Sequence, residues 1–146
     1  MDGGSGGDRV EGGSGNDSVL GSAGNDTLLG EAGNDTLTGS ADDILPGGVL
    51  SIDQDILIGG SGVDVFVLGN TDSVFYTNAG DGDFALIADF AVGQDLIQLN
   101  LSDPGGYGFG NDVDGDGFIT FNDDVIVIFL GVSFDSVLGA PSFIPA

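Results

Sequence analysis

The chain has 146 residues, with 24 acidic side chains against one basic one, Arg9, a formal charge of −23 and neither His nor Cys. These numbers exclude a disulfide scaffold, a thiolate or imidazole zinc site, a Cys nucleophile and a Ser-His-Asp triad, and one Arg cannot neutralise a nucleic-acid backbone. Yet 40% hydrophobic residues and a mean hydropathy of +0.26 are too apolar for a disordered polyanion; a core that charge repulsion opposes needs a positive partner, and an all-oxygen, carboxylate-rich ligand set points to calcium. The length allows one domain, or two small ones sharing a core.

The N-terminal stretch MDGGSGGDRVEGG has neither the basic nor the apolar segment of a secretory signal peptide. From Gly3 onward the sequence repeats every nine residues: GGSGGDRVE, GGSGNDSVL, GSAGNDTLL and GEAGNDTLT, starting at Gly3, Gly12, Gly21 and Gly30. Asp8, Asp17, Asp26 and Asp35 recur in register, and Val10, Val19, Leu28 and Leu37 follow two places after each. A worn copy, GSADDILPG, puts Asp43 in the Asp position one residue early, and GGVLSIDQDILI carries an insertion before Asp55. GGSGVDVFVL from Gly59 is complete, with Asp64 and Phe66.

Each cycle has two physical halves. Gly-Gly-x-Gly-x-Asp cannot be a regular strand, because its glycines favour positive φ and bring the backbone close to whatever lies inside the turn. The following x-U-x segment, with one aliphatic residue facing inward, suits a short strand. Two cycles therefore make one coil of two parallel strands and two turns, and stacked coils bury the U residues as a ladder. Turn i then lies beside turn i+2, bringing Asp8 toward Asp26 and Asp17 toward Asp35. Carboxylates and carbonyls from two stacked turns form a cage of hard oxygens at the 2.3–2.6 Å spacing that suits calcium. A turn needing no metal would be better served by neutral Asn or Ser.

These repeats resemble the RTX, or hemolysin-type, calcium-binding nonapeptide. The resemblance implies a parallel β-roll with calcium between stacked turns, held by the Asp side chain and the carbonyls of cycle positions two and four. Carried over, the ligands are Gly4, Gly6 and Asp8; Gly13, Gly15 and Asp17; Ser22, Gly24 and Asp26; Glu31, Gly33 and Asp35; and Gly60, Gly62 and Asp64. Ser22 and Glu31 replace Gly at position two, and the Asp43 and Asp55 copies depart in length.

Beyond Leu68 the ninefold period stops. Residues 69–82 are polar and turn-rich; ALIADFAVGQDLIQLNL then reads as two strands joined at Gly93, and GFITF with DVIVIFLGV as a strand pair around Asn122 and Asp123. No stretch shows a helical apolar period, and Phe143 and Ile144 are expected to pack back on what precedes them. The expected architecture is all-β: a parallel β-roll over residues 1–68, then a mostly antiparallel β cap over residues 69–146. This half resembles the C-terminal cap of RTX proteins exported by type I secretion, on the matching pieces DVFV from Asp64, IADFAVGQDLIQL from Ile87, and the LGV segment before a terminal Phe. In such proteins the last residues form an uncleaved secretion signal, whereas SFIPA lacks their usual acidic and hydrophobic ending.

Within the cap, DVDGDGFITFND fits the oxygen pattern of an EF-type loop, with Asp112, Asp114 and Asp116 at positions 1, 3 and 5, the Phe118 carbonyl at 7 and Asp123 at 12. Its flanks are not helical, so the alternative is an Asp-Gly turn between strands. Asp81 and Asp83 read as a solvated turn, and Asp89 and Asp95 as acceptors for backbone amides.

The chain is thus expected to be a calcium-dependent folding and secretion module: extracellular, monomeric or part of a longer bacterial protein, binding several calcium ions, with the type I secretion machinery as partner and no membrane insertion. A catalytic pair of carboxylates is not expected, because nearly every Asp is explained by a repeat or a turn and only Glu11 and Glu31 remain. The alternative is a binding module for adhesion or polysaccharide, for which Tyr76, Tyr107 and Phe109 are the candidate platforms.

Overall fold

Alternation between glycine turns and short aliphatic segments winds the chain into flattened coils. The computed structural model describes residues 1–40, 44–45, 49–50, 53–77, 82–102, 104–139 and 142–146. The complete nonapeptides supply β1 (Asp2–Ser5), β2 (Arg9–Ser14), β3 (Ser18–Ala23), β4 (Thr27–Ala32) and β5 (Thr36–Thr38). Across the worn and inserted copies, β6 (Ile44–Leu45) and β7 (Val49–Leu50) form a small antiparallel pair. The roll resumes with β8 (Gln54–Ser61) and β9 (Val65–Val67). The second half contributes β10 (Phe84–Ile87), β11 (Leu96–Leu99), β12 (Tyr107–Asn111), β13 (Gly117–Phe121), β14 (Asp124–Phe129), a short helix α1 (Phe134–Leu138) and β15 (Phe143–Pro145).

From β1 to β5 and from β8 to β11, successive strands go to opposite walls. One wall runs β1-β3-β5-β9-β11-β15, parallel throughout. The other runs β2-β4-β8-β10-β14 in parallel and is extended by the antiparallel strands β13 and β12. Because parallel register stacks equivalent residues, the U positions form two continuous inner ladders. Val10, Leu28, Leu57, Ile87 and Phe129 line one wall, and Val19, Leu37, Phe66, Ile97 and Phe143 the other. Leu28, Leu37, Leu57, Phe66, Ile87, Ile97 and Phe129 are completely buried.

The all-β roll expected from the repeats is present, but the second half is less antiparallel than its sequence suggests. The strands at residues 84–87 and 96–99 form where expected, yet they do not pair with each other. β10 lies between β8 and β14, and β11 between β9 and β15, all parallel. The reason is the ladder: Ile87 and Ile97 sit at the stacked inward positions above Leu57 and Phe66, so burial continues after the glycine pattern has gone. Among the described strands of the second half, antiparallel pairing is confined to β12, β13 and β14, besides the isolated Gly69–Val74 bridge. Asn122 and Asp123, at φ 53° and 69°, make the two-residue turn between β13 and β14. Helix α1 was not signalled by any helical period; five residues bury Phe134 and Val137 as one three-residue step. Phe143 packs against the core as expected.

Candidate metal centre

Parallel stacking sets the repeat aspartates in two ladders, one at each side of the roll where the chain crosses between walls. On one side are Asp8, Asp26 and Asp55; on the other Asp17, Asp35, Asp64 and Asp95. Each aspartate reaches to the coil beneath it. The Oδ1 atom of Asp26 accepts the N–H of Asp8 at 2.8 Å, and that of Asp55 the N–H of Asp26 at 2.8 Å. On the other side Asp35 accepts from Asp17 at 2.8 Å, Asp64 from Asp35 at 2.9 Å and Asp95 from Asp64 at 3.1 Å. One oxygen of Asp26, Asp35, Asp55, Asp64 and Asp95 thus pins the turn below.

The second oxygen is different. The Oδ2 atoms of Asp8, Asp17, Asp26, Asp35 and Asp64 are buried and accept no hydrogen bond. An unpartnered buried carboxylate oxygen is costly, by ~1–3 kcal/mol or more for a charged group. Arg9 does not relieve it, because its guanidinium is exposed and paired with Glu11 at 2.8 Å. Beside three of these oxygens the first glycine of the same turn leaves room: a Cβ at Gly21, Gly30 or Gly59 would stand 2.5 Å from Oδ2 of Asp26, Asp35 or Asp64. The donor set of buried carboxylate oxygen and surrounding peptide carbonyls fits a hard divalent cation.

Burial lifts the carboxyl groups of Asp26 and Asp64 above the ordinary carboxylate value; the N–H groups of Asp8 and Asp35 offset part of this, and repulsion from neighbouring aspartates adds to it. Asp55 is pushed up to about 6, chiefly by burial. Among the described residues no three acidic side chains converge to hold a metal ion. A cation between coils would therefore draw its remaining oxygens from the main chain.

The main chain at cycle positions two and four is shaped alike in the five complete turns. Gly4, Gly13 and Gly60 have φ of 97°, 98° and 93°, and Ser22 and Glu31 adopt the same left-handed backbone at 80° and 75°. Gly6, Gly15, Gly24, Gly33 and Gly62 follow at 103°, 113°, 119°, 145° and 140°. The substitutions at Ser22 and Glu31 therefore leave the turn geometry intact. The Gly62 carbonyl also accepts from Gln94 Nε2.

Two residues at the ladder ends are built differently. Asp55 Oδ2 accepts the Tyr76 hydroxyl at 2.6 Å, and Asp95 Oδ2 accepts the Ala91 N–H at 2.8 Å. Asp89 binds the N–H groups of Gly59 and Gly60 at 2.9 and 2.8 Å, so Asp89 and Asp95 take the amide-binding role their position suggests. The sequence had not revealed that Asp53 accepts the Gly24 N–H at 3.1 Å; its only signal is an Asp two places before the cycle's Asp55. Asp43 and Asp81 lie outside the described residues, and Asp83 is buried rather than solvated.

The EF-like set is not brought together. Residues 112–116 form the turn between β12 and β13, where Asn111 pairs with Gly117. Asp112 Oδ1 accepts the N–H groups of Asp114 and Asp116 at 2.9 and 3.0 Å, and Asp116 Oδ1 accepts that of Gly131 at 2.7 Å. Phe118 lies within β13, paired to Gly110 and Ile128. Asp123 belongs to the turn at the opposite end of β13. Residues 117–121, GFITF, extend as a strand instead of curling back, which separates position 12 from positions 1, 3 and 5. Of the aromatic platforms, Tyr76 is buried and the Tyr107 hydroxyl donates to the Asn100 carbonyl at 2.8 Å; Phe109 is exposed, stacked on Phe134 at 4.7 Å.

A parallel β-roll with paired aspartates between its coils is the class of protein that this fold and site define. The family described as RTX calcium-binding nonapeptide repeat (4 copies) matches residues 2–37 and 52–75, so these stretches carry repeats of that kind. Its structure is similar to the solution structure of the AlgE6R3 subunit from the Azotobacter vinelandii mannuronan C5-epimerase, at 26% identity and a TM-score of 0.60, over 90% of this chain and 77% of that one. No curated protein matches the chain.

Proposed function

We propose that this chain is a calcium-driven folding module, collapsed from an expanded polyanion into the roll when calcium enters between its coils. The observation that carries the reading is the set of buried Oδ2 atoms of Asp8, Asp17, Asp26, Asp35 and Asp64 that have no donor. At three levels, Asp8 with Asp26, Asp17 with Asp35 and Asp35 with Asp64, both stacked aspartates offer such an oxygen. The carbonyls of Gly4, Gly6, Ser22 and Gly24, of Gly13, Gly15, Glu31 and Gly33, and of Gly60 and Gly62 complete those levels. Calcium there would neutralise the carboxylates and tie coil to coil, alongside the Oδ1 bonds of Asp26, Asp35 and Asp64 that join the same coils.

The energies suit a switch. At about 1 mM calcium, a site with Kd of ~10–100 μM contributes about 1.4–2.7 kcal/mol. Three such levels give about 4–8 kcal/mol, comparable with the whole stability of a small domain. Binding and folding are then one event. Low cytoplasmic calcium would leave the repeats extended for passage through a type I secretion channel, and extracellular calcium would fold them. Among the described residues no helix is long and apolar enough to cross a membrane.

A calcium titration from EDTA, followed by far-UV circular dichroism with magnesium as control, tests the reading. A cooperative gain of β signal with calcium and none with magnesium is expected. A complete β spectrum in EDTA that calcium leaves unchanged would refute it.

A further inference from the structure

The copy at Asp55 departs from the others in a way that the repeat pattern does not explain. At Asp26, Asp35 and Asp64 the second carboxylate oxygen faces a side-chain-free space beside the first glycine of its turn. At Asp55 the equivalent space, beside Gly39, holds the Tyr76 hydroxyl. That hydroxyl donates to Asp55 Oδ2 at 2.6 Å and accepts the Ser40 N–H at 3.0 Å. Both side chains are buried, Tyr76 at 0% and Asp55 at 1% exposure.

Tyr76 reaches this point from outside the repeats. After β9 the chain doubles back through the Gly69–Val74 bridge and the bond from Phe75 N–H to the Leu68 carbonyl at 3.0 Å. Tyr76 itself adopts a left-handed φ of 58°, a conformation that is strained for a bulky L-residue. Surrounding structure must hold such a residue in place, and here the reward is a buried, charge-accepting hydrogen bond.

We propose that the Tyr76 hydroxyl closes the level between Asp26 and Asp55 without metal, so that this ladder of cations ends below Asp55 and Asp55 is not a calcium ligand. The inference rests on the calcium reading of the levels below. A phenol supplies one proton to Oδ2 and turns its own oxygen to a backbone amide, which satisfies the carboxylate by hydrogen bonding and occupies the space an ion would need. The opposite ladder ends in the same manner, with the Ala91 N–H on Asp95.

Calcium stoichiometry, measured by equilibrium dialysis and metal analysis at saturation, tests the closure in the full chain, with circular dichroism confirming that each variant folds. Asp55→Asn is expected to bind as many ions per chain as the unaltered protein, while Asp35→Asn binds at least one fewer. Asp64→Asn replaces Asp35→Asn should the latter not fold. Tyr76→Phe, which frees Asp55 Oδ2, is expected to bind one ion more. Loss of an ion from Asp55→Asn, or an unchanged count in Tyr76→Phe, overturns the closure and leaves the calcium reading standing. No uptake by the unaltered chain overturns the calcium reading and the closure with it.

Discussion

Ser22 and Glu31 occupy the second position of their turns at φ 80° and 75°, where three other turns carry glycine. A side chain there is strained by roughly 1–2 kcal/mol, partly offset because glycine makes the unfolded chain more flexible. Glu31→Gly is therefore expected to stabilise the calcium-loaded roll by ~0.5–1 kcal/mol, read as a higher urea midpoint with an unchanged slope. Protonation acts on the same turns. Burial raises the carboxyl groups of Asp26, Asp64 and Asp95 above 3.8, and that of Asp55 to about 6. The folded chain thus binds these protons more tightly than the unfolded chain. Their contribution to stability is complete below 3.8 and is lost as pH rises, at Asp55 through about 6. In EDTA the far-UV β signal should be greater at about pH 4.5 than at about pH 7.5. The opposite order would show that these carboxyl groups are ionised without penalty in the fold.

At the scale of the element, the inner ladders decide which strands belong together. Val10, Val19, Leu28, Leu37, Leu57 and Phe66 were legible as inward residues, because each follows its aspartate by two places and a strand alternates faces. Ile87, Ile97, Phe129 and Phe143 continue the same ladders, but no turn motif marks their phase. A strand rich in aliphatic residues near a Gly turn reads equally well as half of a hairpin or as a rung of a parallel wall. Only the partner strands resolve it. Ile97→Ala should consequently destabilise the roll by ~2–5 kcal/mol, as much as Leu37→Ala is expected to, when both are unfolded in urea at saturating calcium. A change below about 1 kcal/mol would mean that β11 packs apart from the repeat core.

For the whole molecule, the formal charge of −23 and the two inner ladders oppose one another, and in the proposed switch cations between the coils would tip the balance. A folded chain of this length has a radius of gyration of about 15 Å, against about 40 Å unfolded. Small-angle scattering should show the radius rising steeply toward the larger value when calcium is chelated, and returning when it is restored. A radius that stays compact in EDTA would place the folding energy in the hydrophobic core alone.

The nine-residue spacing determined the roll, the inward ladder and the aspartate rows, because a period of identical turns can close only by stacking like on like. Composition alone excluded thiol, imidazole and nucleic-acid chemistry. Tertiary structure decided what depends on distant partners. It made Asp112 and Asp123 members of separate turns, because the residues between them chose a strand; it drew Asp95 into a ladder begun by Asp17; and it carried Tyr76 back to Asp55. Such pairings join residues about 20 or more places apart without a repeating interval, and local pattern carries no record of them.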